Sequence, residues 1–303
     1  MNDMPGIKQA TRERVQELAR ELGYTPSRFA KGLVQGARTS IGLAIPDLTN
    51  PYFPAFASSV VEMAVQRGWN VVVDDYGHGS ASALDAVERL SPQVDAVIGY
   101  LGEESGEAQA MMASRPVILL DHPDGLGAGR ISFDYAHAAG LALAHLAGLG
   151  CNHIAYLDSG LEDRLTVRGT AVVNAARQLG IELTVTRSAE SAEAARRAVL
   201  ELLSQEANVD GLLVFNDLMA AGALKAAAQS RRSVPGDCAV IGMDGIPLGE
   251  LVTPALTTLS VDLREVGRAA VGLLEGLLSG SIKPGSAESA LTLRHELILR
   301  ESA

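Results

Sequence analysis

From Ile41 onward the chain alternates short, uninterrupted apolar runs with longer stretches in which apolar residues recur every three or four positions. The runs are IGLAI (41–45), NVVVDD (70–75), AVIGYL (96–101), VILLD (117–121), HIAYLD (153–158), GLLVF (211–215) and CAVIGMD (238–244). Their length and β-branched content predict strands, and their lack of polar alternation predicts strands covered on both faces. The periodic stretches predict amphipathic helices at 54–67, 81–90, 107–114, 135–148, 168–179, 191–206, 218–229 and 263–279. Such alternation implies an α/β fold with parallel sheets. Roughly four strand–helix units precede residue 134 and roughly three follow it, which favours two doubly wound lobes over one sheet.

The helix at 263–279 and the last strand, LTLRHELIL (291–299), lie beyond the second set and are expected to cross back. Each lobe is then discontinuous, the first being 40–133 plus 262–283 and the second 134–261 plus 284–303. Residues 1–39 stand apart as a short helical remnant. In TRERVQELAREL (11–22), Val15, Leu18, Ala19 and Leu22 share one helical face, with Thr11 as N-cap and Gly23 as stop. Pro26 opens a second short helix through SRFAKGLVQG, which Gly32 and Gly36 weaken, so it needs a partner to form.

At 303 residues, 47% apolar and 20% charged, the chain can bury a substantial core. No apolar run is long enough to span a bilayer, and MNDMPGIKQATRERV lacks the apolar segment of a secretory signal, so a cytoplasmic protein is expected. Cys151 and Cys238 match no ligand spacing and read as reduced thiols. The net charge of −11 argues against nucleic acid until its distribution is considered. Residues 1–40 carry Lys8, Arg12, Arg14, Arg20, Arg28, Lys31 and Arg38 against Asp3, Glu13, Glu17 and Glu21. That is +3 locally and −14 on the rest, a basic head on an acidic body.

The candidate chemistry gathers at strand ends. One strand runs into Asn216 and Asp217, another into Asp244 and Gly245, where open α/β sheets bind ligands. Arg168 opens a helix after a loop, and its guanidinium fork suits two vicinal hydroxyls or a carboxylate. Asn50 and Phe53, in the loop after the first strand, and Asp75, Tyr100 and Asp121, each ending its own strand, form a second tier. Trp69 leads into a strand and is expected in the core. The loop PDLTNPYF contains no G-x-G-x-x-G, and GLGAG (125–129) reads as a flexible loop. No nucleophile elbow, zincin motif or P-loop is present, and the six histidines show no metal spacing. No catalytic residue, metal or cofactor is expected.

ND-x-MA-x-GAL, V-P-x-D-x-x-V-x-G-x-D and P-x-LTT, in that order and spacing, resemble the bacterial lactose-repressor (LacI/GalR) family of transcription regulators. TRERV…ELGYTPSRFAKGL is similar to the third helix and hinge of that family's DNA-binding headpiece, RTSIGLAIPDLTNPYF to the entry into its core, and VRGTAVVNAARQLGI to its R-x-x-G helix. The resemblance implies the core of the type I periplasmic sugar-binding proteins, with an effector between two lobes contacted by Arg168, Asn216 and Asp244. It implies that Arg28, Ala30, Lys31 and Leu33 meet DNA, with Leu33 wedging into the minor groove. Lys31 replaces the family's usual Arg, Gly245 a second acid or amide, and Cys151 a common His. The family's helix-turn-helix precedes the point at which this chain starts, and roughly twenty groove-reading residues have no counterpart here. The implied function is a ligand-responsive DNA-binding regulator, a repressor. It would be homodimeric, would bind operator DNA in a form with the complete headpiece, and would sense a sugar or nucleoside. Effector binding would alter hinge-helix pairing. The rival reading is a sugar-binding protein of a transport system.

Overall fold

The computed structural model describes Arg14 and residues 38–77, 82–122, 126–160 and 164–303. The two expected N-terminal helices, and with them Arg28, Ala30, Lys31 and Leu33, lie outside the described residues.

The chain divides into two compact units. The first comprises the described residues up to Thr49, Phe56–Ser132 and Arg264–Leu291. Its strands are β1 (Ser40–Ile45), β2 (Asn70–Asp75), β3 (Ala96–Gly99), β4 (Val117–Leu120), β5 (Gly129–Phe133) and β11 (Ala290–Leu293). They form one sheet in the order β11-β5-β4-β3-β1-β2, and β2, β1, β3, β4 and β5 run parallel. The helices between them are α1 (Tyr52–Val65), α2 (Ala83–Leu90) and α3 (Ser105–Met112). Helix α9 (Leu263–Ser279) rejoins this unit late in the chain. One face of the sheet is sealed by Val87, Leu90, Val97, Met112 and Leu119.

The second unit comprises Asn50–Ala55, Phe133–Leu263 and Thr292–Ala303. Its strands are β6 (Ile154–Ser159), β7 (Leu183–Ser188), β8 (Gly211–Val214), β9 (Ala239–Asp244), β10 (Thr257–Ser260) and β12 (Glu296–Ile298). The sheet order is β12-β10-β9-β8-β6-β7, parallel throughout except for β12, which runs antiparallel to β10. Its helices are α4 (Tyr135–Gly148), α5 (Val167–Leu179), α6 (Ala192–Gln205), α7 (Asp217–Gln229) and the short α8 (Leu248–Leu251). Helices α6 and α7 approach so closely that a Cβ on Gly222 would lie 2.0 Å from the Ala192 carbonyl oxygen. Val199, Leu202, Met219, Ala223 and Val240 fill the core beneath them.

Both sheets are therefore doubly wound, with the winding direction reversing at β1/β3 and at β6/β8. In such sheets the loops beyond the carboxyl ends of the strands at the reversal splay apart and leave room for a ligand. In the second unit these are the loops that follow β6 and β8.

Three strands escaped the apolar-run criterion: β5 (GRISF), β7 (LTVTRS) and β10 (TTLS). Polar residues fill two of five positions in β5, four of six in β7 and three of four in β10. The final segment is two strands rather than one, broken at Arg294–His295, with β11 in the first sheet and β12 in the second. Residues 284–291 accordingly belong to the first unit and not the second. The Gly285 N–H donates to the Ala128 carbonyl at 3.2 Å, and the Ser132 hydroxyl donates to the Leu291 carbonyl at 3.3 Å. Trp69 is half-buried rather than in the core.

Candidate functional site

The carboxyl ends of β6, β8 and β9 carry the charged network of the second unit. Strand β6 ends in Asp158, whose buried carboxylate accepts from the Ser159 and Thr166 backbone N–H groups, both at 3.0 Å, and from the Thr166 hydroxyl at 2.6 Å. Thr166 in turn caps α5 by accepting from the Gly169 N–H at 2.9 Å. A Cβ on Gly169 would lie 2.3 Å from the Asp158 carboxylate, so the carboxylate and the helix start fit together only with glycine there. This arrangement fixes the position of Arg168.

The Arg168 guanidinium donates through Nη1 to the Asp244 carboxylate at 3.0 Å and to the Phe215 carbonyl at 2.9 Å, and through Nε to the Tyr135 hydroxyl at 3.2 Å. It also lies over two rings, 4.7 Å from the Phe215 centroid and 5.2 Å from that of Tyr135, where ring quadrupoles favour a cation. The Arg168 side chain is 13% exposed and that of Asp244 is 4% exposed. Burial pushes the Asp244 carboxyl up, Arg168 pulls it back, and the nearby charges of Asp217 and Glu190 add to the rise. Asp244 sits at φ 122°, a backbone region that side-chain-bearing residues rarely adopt and that persists where the surroundings enforce it.

Asn216, following β8, is the N-cap of α7. Its side-chain oxygen accepts from the Met219 N–H at 2.8 Å, and its amide nitrogen donates to Glu190 Oε1 at 2.8 Å. The same Glu190 oxygen accepts from the Asn50 amide at 3.1 Å. Asn50 holds the start of α1 by accepting from the Tyr52 N–H at 3.1 Å. Asp217, beside Asn216, braces the next crossover: it accepts from the Thr258 hydroxyl at 2.6 Å and the Ile246 N–H at 2.9 Å. Burial raises its carboxyl, while those two donors oppose the rise. Gly245 has φ 72°, and a Cβ there would meet the Ser260 hydroxyl at 2.0 Å, so a side chain has no space at this position.

His295 closes the rear of this cluster. Its ring packs 5.6 Å from both Phe133 and Tyr135, and its Nδ1 is buried with no hydrogen-bond partner. Burial foremost, then the Arg168 charge, lowers its imidazole to about 3.

The network thus brings together Arg168 and Asp244 directly, and Asn216 and Asn50 through Glu190. Phe53 is buried, edge-on to Tyr52 at 5.2 Å. Asp75, Tyr100 and Asp121 belong to the first unit. The Asp75 carboxylate accepts from the Leu48 and Gly77 N–H groups at 3.1 and 2.8 Å, bracing two loops. The Tyr100 ring packs edge-on to Phe56 at 5.8 Å. Asp121 ends β4 in the left-handed region at φ 58°, its N–H donating to the Ile131 carbonyl at 2.9 Å. Glu190, Phe215, Tyr135 and Asp158 were not singled out from the sequence. Glu190 follows β7, a strand whose polar residues hid it, whereas the expected strand 211–215 ended in Phe215 without its ring being weighed. Among the described residues no group of His, Cys, Asp or Glu could hold a metal ion, and no helix is long and apolar enough to cross a membrane.

Residues 143–303 match the family profile of the periplasmic binding protein-like domain. The ribose operon repressor of Halalkalibacterium halodurans is 30% identical over 283 residues, spanning 90% of this chain and 83% of that protein. A LacI-family transcriptional regulator from an Arthrobacter species, solved in complex with lactose, is 61% identical with a TM-score of 0.86, covering 88% of this chain and 100% of that one. This chain belongs to the LacI family of transcriptional regulators. The CytR repressor of Escherichia coli K12 is 28% identical over 98% of the chain and 88% of its own length. The Lac repressor bound to ONPG is 25% identical with a TM-score of 0.79, over 100% of this chain and 93% of that one. As a LacI-family member the protein is a transcription regulator and not an enzyme, which sets aside the transport reading as well. In this LacI-family core the two doubly wound sheets are the type I periplasmic-binding-protein architecture that the sequence resemblance implied.

Proposed function

We propose that this regulator is a repressor whose effector is a galactoside of the lactose type, with Arg168, Asn216 and Asp244 as its principal contacts and Asn50 beside them. The observation that carries this reading is the Arg168–Asp244 pair, set at 3.0 Å at the winding reversal of the second sheet, next to the Asn216 cap. A carboxylate that accepts, a guanidinium that donates and an amide that does both can bracket the adjacent hydroxyls of a pyranose. The choice of a galactoside rests on the 61% identity to the Arthrobacter regulator, whose structure holds lactose. Asp75, Tyr100 and Phe53 carry no part of the proposal, because their groups brace loops or fill the core.

The DNA side rests on the similarity to a Lac repressor dimer bound to operator, 25% identical over 92% of this chain. In this reading a homodimer with a complete headpiece places Arg28, Ala30, Lys31 and Leu33 on the operator. Effector and operator affinities are then coupled reciprocally. Lactose should raise the melting temperature of the purified chain, since a ligand of the native state alone stabilises it. In fluorescence anisotropy with operator DNA, lactose should change the affinity of the complete regulator. A melting temperature indifferent to lactose contradicts the effector, and an operator affinity indifferent to a bound sugar contradicts the switch.

A further inference from the structure

One short sequence step occurs in both units. VDAV (94–97) leads into β3 and VDGL (209–212) leads into β8, with the aspartate just before the strand in each case. The Asp95 N–H donates to the Ser40 carbonyl at 2.7 Å, and the Asp210 N–H donates to the His153 carbonyl at 3.1 Å. Ser40 in the first unit therefore corresponds to His153 in the second, and Thr39 corresponds to Asn152.

The two carboxylates treat these equivalent residues differently. That of Asp210 holds both, accepting from the His153 N–H and from the Asn152 N–H, each at 2.9 Å. That of Asp95 holds one. Its Oδ2 accepts from the Ser40 N–H at 2.9 Å, while its Oδ1 is buried without a hydrogen-bond partner and receives nothing from Thr39. Asp95 is also the more deeply buried of the pair, at 5% exposure against a half-buried Asp210, so an unmet oxygen is the more costly there.

What delivers each pair of residues accounts for the difference. Asn152 arrives from the turn that ends α4. In that turn the Gly150 and Cys151 N–H groups donate to the Ala147 and Leu146 carbonyls at 3.0 and 3.1 Å, and the Asn152 amide donates to the Gly150 carbonyl at 2.8 Å. The approach to Asp210 is thus fixed within its own unit. Thr39 arrives instead from the basic segment 1–38, ahead of the first strand. Its carbonyl is tied to the sheet, accepting from the Asn70 N–H at 2.8 Å, whereas its N–H belongs to the preceding peptide. Rotation of that peptide can swing the N–H while β1 stays in place.

We propose that Asp95 is a positioning residue for DNA binding: it holds Ser40 alone in the free protein, and both Thr39 and Ser40 when the N-terminal segment is engaged on operator DNA. The engaged form has the geometry that Asp210 keeps permanently. This rests on the operator reading above and adds the point at which the core grips the segment. A bond made only in the engaged state favours that state by its full strength.

The test combines amide hydrogen exchange with fluorescence anisotropy on operator DNA. In the free protein the Thr39 amide should exchange faster than the Asn152 amide, and operator should slow Thr39 while leaving Asn152 unchanged. In the complete regulator, Asp95→Asn keeps an acceptor for Ser40 and should weaken operator binding about tenfold. Asp210→Asn, at the equivalent place in the second unit, should lower thermal stability with operator affinity held within about twofold. Thr39→Pro deletes the donor rather than the acceptor and should match Asp95→Asn, and the double variant should lose no more than either alone. Thr39→Pro also serves as the readout if Asp95→Asn fails to fold. A Thr39 amide as protected as Asn152 before operator is added overturns the proposal. So does an operator affinity that responds no more to Asp95→Asn than to Asp210→Asn, or losses that simply add in the double variant. Absence of operator binding in the wild-type regulator overturns the operator reading itself, and the role of Asp95 with it.

Discussion

The two sheets follow the same strand order, yet the ends of their strands are put to different uses. In the first unit, polar groups at the strand ends mainly hold the chain's own loops: Asp75 braces Leu48 and Gly77, Asp47 accepts from Thr49, and the Tyr76 hydroxyl donates to the Tyr100 carbonyl. In the second unit, Asp158, Asp217 and Asp244 are buried carboxylates, and Arg168 binds one of them directly. Burying charge is costly unless each group is fully satisfied, so a network of this kind is kept where it organises a site. One architecture, used twice, thus carries mainly loop braces at the strand ends of one unit and a buried charged network at those of the other.

The comparison is sharpened most by breaking a buried acid. Asp217→Ala strands the Thr258 hydroxyl and the Ile246 N–H, and should cost about 3 kcal/mol of stability in denaturant titrations. A loss no larger than that of an exposed loop acid would remove the distinction between the two sheets.

Next comes function. Arg168→Lys keeps a charge but loses the planar fork that serves Asp244, the Phe215 carbonyl and Tyr135 at once. Lactose affinity should fall about a hundredfold, with the far-ultraviolet spectrum unchanged. Unaltered binding would make Arg168 a purely structural residue.

The third effect is a pH dependence with two opposing parts. His295 has its folded-state value lowered to about 3, so the unfolded chain binds the extra proton and stability is lost as pH falls from near 6.5 towards 3. The loss approaches about 1.4 kcal/mol per pH unit. Asp217 and Asp244 have raised folded-state values, so the native state binds the extra protons, and their contribution is lost as pH rises above the unfolded aspartate value of about 4. His295→Phe keeps a ring beside Phe133 and Tyr135 and removes only the first part. Stability curves of variant and wild type that run parallel from pH 6.5 to 4 would contradict the assignment.

The smallest effect belongs to the scaffold sheet. Asp75→Ala removes an exposed brace and should cost about 1 kcal/mol or less, with lactose binding unchanged.

Much of this was legible in the residues. Continuous Val/Ile/Leu runs mark strands buried on both faces, and the amide and acid that follow two of them, with Arg168 at a helix start, mark the ligand end of the sheet. What stayed hidden has a common cause. Strand β7 is an edge strand with half-exposed threonines and an arginine, so it lacks an apolar run, and Glu190 beyond it had no strand end to be assigned to. Strand β10, TTLS, is buried mostly by neighbours remote in sequence rather than by its own composition. The need for glycine at position 245 depends on Ser260, fifteen residues on, and is visible only once both are placed.

The most direct measurement is a crystal structure of the protein with lactose bound. Sugar hydroxyls are expected within hydrogen-bonding distance of Arg168, Asn216 and Asp244, at the carboxyl ends of β6, β8 and β9. Lactose held by other residues, with the Arg168–Asp244 pair untouched, would contradict it.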